Sequence, residues 1–255
     1  MNKFLEIYTQ IIHIYNLNDD ISNIVLYGIN NIAQTENYCG MLFSYFEKDN
    51  FRFFQKILNF PYNDSNKELL IPILNILFSF LSVGEEKINS FFLQTKLFDF
   101  LEQIFKFNEF QLNILNCIKI FCIGTIGEIQ YIINHPIFNK VIFSMNNEKI
   151  DLKIEACQII CNCLLYNSKE IVDELLKIFE KLPHCLLDNL SNYENQQELI
   201  MLTLEIILRL IISSKDFIEI ILNTNIIDIL EKYNIKEKNK EIQTLSNGIL
   251  RRITS

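Results

Sequence analysis

The feature that most constrains this chain is a helix-forming pattern that fills nearly its whole length. Apolar residues recur at helical spacing, and short segments rich in Asn, Asp and Ser, such as residues 63–66 and 191–195, separate one block from the next. The sequence has no strand-length run of alternating apolar and polar residues flanked by Gly turns. The pattern therefore predicts an all-α fold.

Five of the helical blocks repeat at a nearly constant interval. Aligned on one helix position, they are separated by 48, 42, 41 and 44 residues, close to the period of roughly 40–47 residues in armadillo and HEAT repeats. The aligned positions are Asn31, Ser79, Phe121, Asn162 and Ile206. One such unit cannot bury its own apolar face, so neighbouring units must stack and share a core. We therefore expect an armadillo/HEAT-type right-handed superhelical solenoid of about five to six repeats.

The helical pattern runs from end to end, which predicts one solenoid domain over residues 1–255. Residues 1–18 are expected to form an N-terminal capping helix, and residues 236–255 a C-terminal one. Arg251 and Arg252 lie near the end of this last helix, where positive charge is favourable against the helix dipole. Stacked units of this kind leave a concave surface, on which an extended peptide or a partner helix can bind.

Charge and composition narrow the classes of partner. The net charge is −8 and the pI is near 5.0, which disfavours nucleic acid because phosphate contacts need clustered Lys and Arg. The same charge permits a basic protein segment as a ligand. The most apolar stretch, residues 69–83, is shorter than the ~18 residues that a membrane span needs, and the N-terminus lacks the cleavage site of a secretory signal. We expect protein partners, with no nucleic acid and no membrane.

The cysteines and the missing catalytic motifs argue against an enzyme or a metal protein. Seven cysteines occur without a CxxC pair, mostly within apolar helical stretches, which is typical of core residues in a reducing compartment. We expect the cytoplasm or another intracellular reducing compartment, with the nucleus or a cytoskeletal assembly as alternatives. Cys157, Cys161 and Cys163 have no His nearby in sequence, and a tetrahedral site needs four ligands. No HExxH, GxSxG or Walker pattern occurs, so no catalytic, cofactor-binding or metal-binding residues are predicted.

One repeat resembles a known family. The segment Lys153-Ile-Glu-Ala-Cys-Gln-Ile-Ile-Cys-Asn162 is similar to the third helix of an importin-α armadillo repeat, whose pattern is Lys/Arg-x-Glu-Ala-x-Trp-x-x-x-Asn. Residues 127–134, 204–210 and 226–252 also resemble helices of that family, and the resemblance is strongest after about residue 110. The resemblance implies the binding mode of importin-α, in which Trp rings hold the stems of ligand Lys side chains and Asn amides hold the ligand backbone.

The alignment supplies the candidate residues of a binding groove. At the family's Trp and Asn positions stand Tyr27 with Asn31, Asn75 with Ser79, Gln158 with Asn162, Cys117 with Phe121, and Leu202 with Ile206. We select the first three pairs as groove residues. The alternative for the Asn amides is that they face solvent or tie adjacent repeats together, and for Tyr27 that it is half-buried at a repeat seam. This chain contains no Trp, so the lysine-reading ladder of the family is lost.

These observations predict a non-enzymatic protein–protein interaction scaffold, a structural subunit of a larger assembly. The alternative is a divergent importin-α-like adaptor that binds basic peptides for nuclear protein import. The 21 phenylalanines bear on the choice. Neighbours such as Phe53 and Phe54, or Phe91 and Phe92, cannot both point inward from one helix face. Some must be buried between repeats or under a partner, and we favour a partner.

Overall fold

The computed structural model describes residues 20–84, 86–236 and 239–254, together with Ile7, Gln10 and Leu17. Every regular element in these ranges is helical, which confirms the predicted all-α class. The predicted N-terminal capping helix at residues 1–18 lies outside the described residues, apart from those three positions.

Sixteen α-helices make up the described part of the chain, with single 3-10 turns at Lys67–Leu69 and Asn108–Phe110. In chain order they are α1 (Asp20–Ala33), α2 (Glu36–Lys48), α3 (Arg52–Leu58), α4 (Leu70–Ser82), α5 (Glu86–Leu93), α6 (Leu97–Ile104), α7 (Gln111–Phe121), α8 (Ile126–Asn134), α9 (Phe138–Met145), α10 (Ile150–Cys163), α11 (Lys169–Ile178), α12 (Leu182–Asn192), α13 (Gln197–Ser213), α14 (Lys215–Leu222), α15 (Ile226–Lys236) and α16 (Lys240–Ile253). The last of these forms within the segment predicted as the C-terminal cap.

The helices gather into two compact units, residues 1–121 with α1 to α7 and residues 122–255 with α8 to α16. In each unit every third helix packs against the next of its kind. In the first unit α1 packs on α4 and α4 on α7, and in the second α10 packs on α13 and α13 on α16. This three-helix period is the one expected of stacked armadillo-type repeats, and we call these six the third helices. The single domain over residues 1–255 stays a prediction.

An aromatic cluster forms the core of the first unit. Phe53 and Phe54 are both fully buried, although they are adjacent on α3. Phe53 stacks on Phe46 with ring centroids 4.6 Å apart, while Phe54 lies 5.4 Å from Phe80 and 5.1 Å from Phe92. Rings from α2, α4 and α5 therefore cover both flanks of the short helix α3. The expectation that a partner covers these rings was wrong, because burial within the fold accounts for them.

A buried lysine organises the second unit. The Lys153 side chain on α10 is 3% exposed, and its ammonium group donates to the Met145 carbonyl at 2.8 Å and to Asn189 Oδ1 at 3.1 Å. It also lies 4.8 Å from the centre of the Tyr193 ring. Asn189 in turn donates to Thr203 Oγ1 at 3.3 Å. A buried charge needs such partners, so this network fixes α10 against α9, α12 and α13.

Side-chain caps begin several helices of the second unit where the sequence places Thr, Ser or Asn. Thr125 and Glu128 form a capping box at the start of α8, with the Thr125 amide donating to the Glu128 carboxylate at 2.6 Å. Ser168, Ser214 and Asn239 accept backbone hydrogen bonds at the starts of α11, α14 and α16. These caps satisfy amide groups that a helix cannot satisfy itself, so each boundary is set locally.

Candidate protein-binding face

The exposed sides of α1, α4 and α7 form a surface of the first unit that we call the amide face. Its members share helical spacing, so that one stripe of each helix points to solvent while the opposite stripe packs into the core. The amide face comprises Asn23, Ile24, Tyr27 and Asn31 on α1, Ile71, Asn75, Phe78 and Ser79 on α4, and Leu112, Asn113 and Asn116 on α7. Each of the three helices contributes both apolar and amide side chains to it.

Several large apolar side chains of this face are exposed. Ile24 is 71% exposed, Tyr27 44%, Ile71 46% and Phe78 42%. Single exposed apolar residues are ordinary on protein surfaces, whereas several that share one face indicate an interaction site. The predicted groove residue Tyr27 is therefore turned to solvent, beside Asp20, Asn23 and Ile24, rather than half-buried in a seam.

Two clefts flank Phe78. One, of about 430 Å³, opens between α1 and α4 and is lined by Ala33, Gln34, Cys39, Phe78, Ser79, Ser82 and Val83. The other, of about 200 Å³, opens between α4 and α7 and is lined by Leu74, Asn75, Phe78, Asn113 and Asn116. The Phe78 ring is thus a shared wall, and the predicted groove residues Ser79 and Asn75 lie on opposite sides of it.

A third cleft, of about 400 Å³, lies near the starts of α4 and α7. Its lining residues are Lys67, Glu68, Ile71, Leu74, Glu109, Phe110 and Asn113. Lys67 and Glu109 form an ion pair across it at 2.6 Å. The hydrogen bond from Lys67 lowers the pKa of the Glu109 carboxyl, and the hydrogen bond to Glu109 raises the pKa of Lys67. The charges of Lys67 and Glu109 at the rim of this cleft therefore largely cancel each other.

Four amide side chains of the face have no hydrogen-bond partner within the part of the chain that the structure describes. They are those of Asn31, Asn75, Asn113 and Asn116. Each amide offers two N–H donors and a carbonyl acceptor. The backbone of an extended peptide presents the complementary groups at regular intervals, so a row of such amides is suited to holding a peptide main chain.

Charge is nearly absent from the helices that carry the face. Together α1, α4 and α7 contain two charged residues, Asp20 in the first turn of α1 and Lys119 in the last turn of α7. The middle helix, with sequence LIPILNILFSFLS, contains none. An uncharged surface has no electrostatic attraction for a highly charged ligand, so its chemistry favours amide contacts and apolar burial.

The third helices of the second unit present a different surface. Gln158 donates from Nε2 to Asn162 Oδ1 at 3.2 Å, and Asn162 is only 7% exposed. On α13, Glu205 pairs with Arg209 one turn later. The structure therefore places four of the six predicted groove residues, Tyr27, Asn31, Asn75 and Ser79, on the amide face of the first unit. Gln158 and Asn162 lie in the second unit, and their hydrogen bond is internal.

On two third helices, the positions aligned to the Trp and Asn of the family motif, which were not selected as groove residues, are buried. On α7 the aligned positions Cys117 and Phe121 are fully buried, whereas Asn116, one residue earlier, is half-buried and Asn113 is exposed. On α13 the aligned Leu202 and Ile206 are buried likewise. The signal that identifies the α7 face is the polar pair Asn113 and Asn116, three residues apart within an otherwise apolar segment. On α7, amphipathic spacing therefore marks the solvent-facing side where the aligned motif positions do not.

The cysteines behave as packing residues. All seven are buried with free thiols, and burial raises the pKa of Cys117 and of Cys157 to about 12. Within the described ranges, no group of three His, Cys, Asp or Glu side chains is placed to hold a metal ion. In the same part of the chain, no helix has the length and apolarity needed to cross a bilayer.

No family model matches the chain, and no curated protein matches it. Several solved structures, however, are similar to it. A computationally designed armadillo repeat protein for modular peptide recognition superposes with a TM-score of 0.80 at 15% identity, over 98% of this chain and 99% of its own. A designed armadillo repeat protein in complex with the peptide (KR)4 gives 0.77 at 14% identity, over 98% and 99%. An engineered protein from a structural genomics consortium gives 0.75 at 13%, over 100% and 97%. The chain therefore has the fold of armadillo repeat solenoids.

Proposed function

We propose that this chain is a non-enzymatic protein–protein interaction scaffold, a structural subunit of a larger assembly, which binds an extended segment of a partner across the amide face. The observation that carries the proposal is the set of amides without internal partners, Asn31, Asn75, Asn113 and Asn116, interleaved with exposed apolar side chains.

The energetics of the face favour a protein segment over a small molecule. Hydrogen bonds from side-chain amides to a peptide main chain contribute about 0.5–1.5 kcal/mol each, so affinity must accumulate over several helices. The clefts on either side of Phe78 add apolar burial at intervals along the same path. The two designed armadillo proteins, one made for modular peptide recognition and one bound to (KR)4, support a peptide as the class of ligand.

A second candidate function is an importin-α-like adaptor that binds basic peptides for nuclear protein import. It is favoured by the net charge of −8 and by carboxylates along the third helices of the second unit, at Glu155, Glu198 and Glu205. Against it, Glu205 already pairs with Arg209, and the chain has no Trp with which to hold Lys stems. The two candidates differ in the unit that binds.

Titration of the full chain against an array of eight-residue peptides tests the proposal. The array contains apolar, basic and acidic sets. We expect at least one set to bind, with affinity lost in the double variant Asn75→Ala/Asn116→Ala. The matched control is Asn139→Ala, which removes an exposed amide from α9 and should leave affinity unchanged. Binding that is insensitive to the double variant, or no binding by any set, would overturn the proposal.

A further inference from the structure

We propose that the amide face selects an extended partner segment with uncharged aliphatic side chains at alternate positions and rejects segments rich in Lys and Arg. This inference rests on the proposed function, since it concerns the chemistry of the segment that the same face binds. It differs from the basic-peptide reading that the importin-α resemblance implies.

The amide face has few charges with which to balance a basic segment. A Lys or Arg side chain needs a carboxylate close by when it leaves water. The middle helix α4 has no charged residue, and Asp20 at the start of α1 is the one carboxylate on the three helices of the face. At the third cleft, Glu109 is committed to Lys67 at 2.6 Å, which leaves Glu68 at the rim. A run of basic side chains therefore finds too few counter-charges along this path.

Apolar and amide groups line the same cleft, with Leu74, Asn75 and Phe78 contributed by α4 and Asn113 and Asn116 by α7. This cleft, at about 200 Å³, is smaller than the ~300–1,000 Å³ of pockets for drug-sized ligands. It suits one aliphatic side chain, whose neighbouring main-chain groups would then lie beside the amides.

Successive side chains of an extended peptide point to opposite sides. Every second side chain can therefore enter the face while the intervening ones point to solvent. Exposed aliphatic groups continue across the face at Ile24, Ile71 and Leu112, one on each of the three helices. The face thus offers apolar contact at intervals, which matches a segment with aliphatic residues at alternate positions.

The test uses the full chain and four fluorescein-labelled octapeptides in fluorescence anisotropy titrations. The peptides are (LS)4, the block isomer LLLLSSSS, (KR)4 and (ES)4. We expect (LS)4 to bind at least tenfold more tightly than the other three, with a Kd that does not change between 0.05 and 0.5 M NaCl. Equal or tighter binding by (KR)4 that depends on Asn75 and Asn116 would overturn this inference and leave the proposed function standing. Failure of all four peptides would overturn both.

A charge substitution at the centre of the face tests the selectivity directly. Phe78→Asp introduces a carboxylate between the two clefts, and we expect (LS)4 affinity to fall at least tenfold while (KR)4 affinity rises. Phe143→Asp, at a 56% exposed ring on α9, is the matched control and should change neither. Circular dichroism and thermal melting check the fold. Should Phe78→Asp unfold the chain, Ser79→Asp introduces the charge without removing a ring. Unchanged affinity for both peptides in the folded variant would overturn the inference.

Discussion

Gln158 donates a hydrogen bond to Asn162 along one face of α10, at 3.2 Å from Nε2 to Oδ1. In the first unit, Asn75 and Ser79 have the same four-residue separation on α4. The Asn75 amide bonds to no residue in the described ranges. Two polar side chains four residues apart can thus hydrogen-bond to each other, or they can leave their hydrogen-bonding groups available to a ligand. The contrast indicates a structural role for the pair in the second unit, and it leaves the face in the first unit as the proposed binding site.

The first prediction separates these two roles. Asn162→Ala should lower the free energy of unfolding by about 1 kcal/mol, because it removes a largely buried hydrogen-bonding group. It should leave peptide affinity unchanged. Asn31→Ala changes an exposed amide without an internal partner. It should lower peptide affinity and leave the free energy of unfolding unchanged. Urea unfolding and anisotropy titration on both variants provide the check, and the same effect of both on affinity would contradict the assignment.

The second prediction concerns the buried lysine. Lys153→Met keeps the length of the side chain but leaves the Met145 carbonyl and Asn189 Oδ1 without their donor. We expect a loss of about 2–4 kcal/mol in unfolding free energy, since buried groups that lose a charged partner are costly. Lys149→Met, at an exposed position one turn earlier, is the control and should stay within about 0.5 kcal/mol. Equal midpoints in urea for the two variants would show that the network does not stabilise the fold.

The third prediction concerns the turn between α2 and α3. Asn50 and Phe51 both have positive φ, at 51° and 54°, and the Phe51 ring stacks on Phe91 with centroids 3.8 Å apart. Glycine adopts this backbone conformation without the Cβ penalty. Asn50→Gly should therefore raise the unfolding free energy by about 0.5 kcal/mol, and Asn50→Ala should lower it by about 1 kcal/mol. Thermal melts of the two variants should shift in opposite directions; a shift in the same direction would contradict the argument.

The fourth prediction concerns alkaline pH. Burial raises the pKa of the Cys117 thiol from 9.0 to about 12, so the folded chain holds this proton more tightly than the unfolded chain does. The stability from this group is present below pH 9 and is lost progressively as the pH rises from 9 towards 12. The slope is about 1.4 kcal/mol per pH unit for one thiol.

Urea unfolding at pH 8, 9, 10 and 11 measures this slope. Cys117→Ala should lower the free energy of unfolding at every pH. Above pH 9, however, the free energy of unfolding of the variant should fall less steeply with pH than that of the parent chain, by the contribution of one thiol. Parallel curves for the variant and the parent would mean that the Cys117 thiol does not titrate differently in the two states.

Much of the fold could be predicted from the sequence because helical periodicity is a local property. The block from Glu198 to Leu210 was recognised, and the helix extends from Gln197 to Ser213. Which side of a helix is exposed is harder to predict, since an alignment error of one residue rotates the assigned side by about 100°. On α7 the positions aligned to the family motif, Cys117 and Phe121, are buried, and Leu112 and Asn113 lie on the exposed side instead.

The remaining differences depend on packing between segments distant in sequence. Phe53 and Phe54 are both buried because rings from α2, α4 and α5 surround a short helix, and no local pattern encodes this. The role of Lys153 also needed the structure. In the motif that resembles importin-α it stands at the Lys/Arg position, whereas in the fold its ammonium group donates hydrogen bonds to residues of α9 and α12.

Photo-crosslinking tests the central claim most directly, because it locates a bound segment on the chain. An (LS)4 peptide with one Leu replaced by photo-leucine is irradiated with the full chain, and the crosslinked residues are identified by mass spectrometry. The account predicts crosslinks to residues of α1, α4 and α7, centred on the clefts beside Phe78 and lost on competition with unlabelled (LS)4. Competed crosslinks confined to α10 and α13, or crosslinks that excess unlabelled peptide does not suppress, would contradict it.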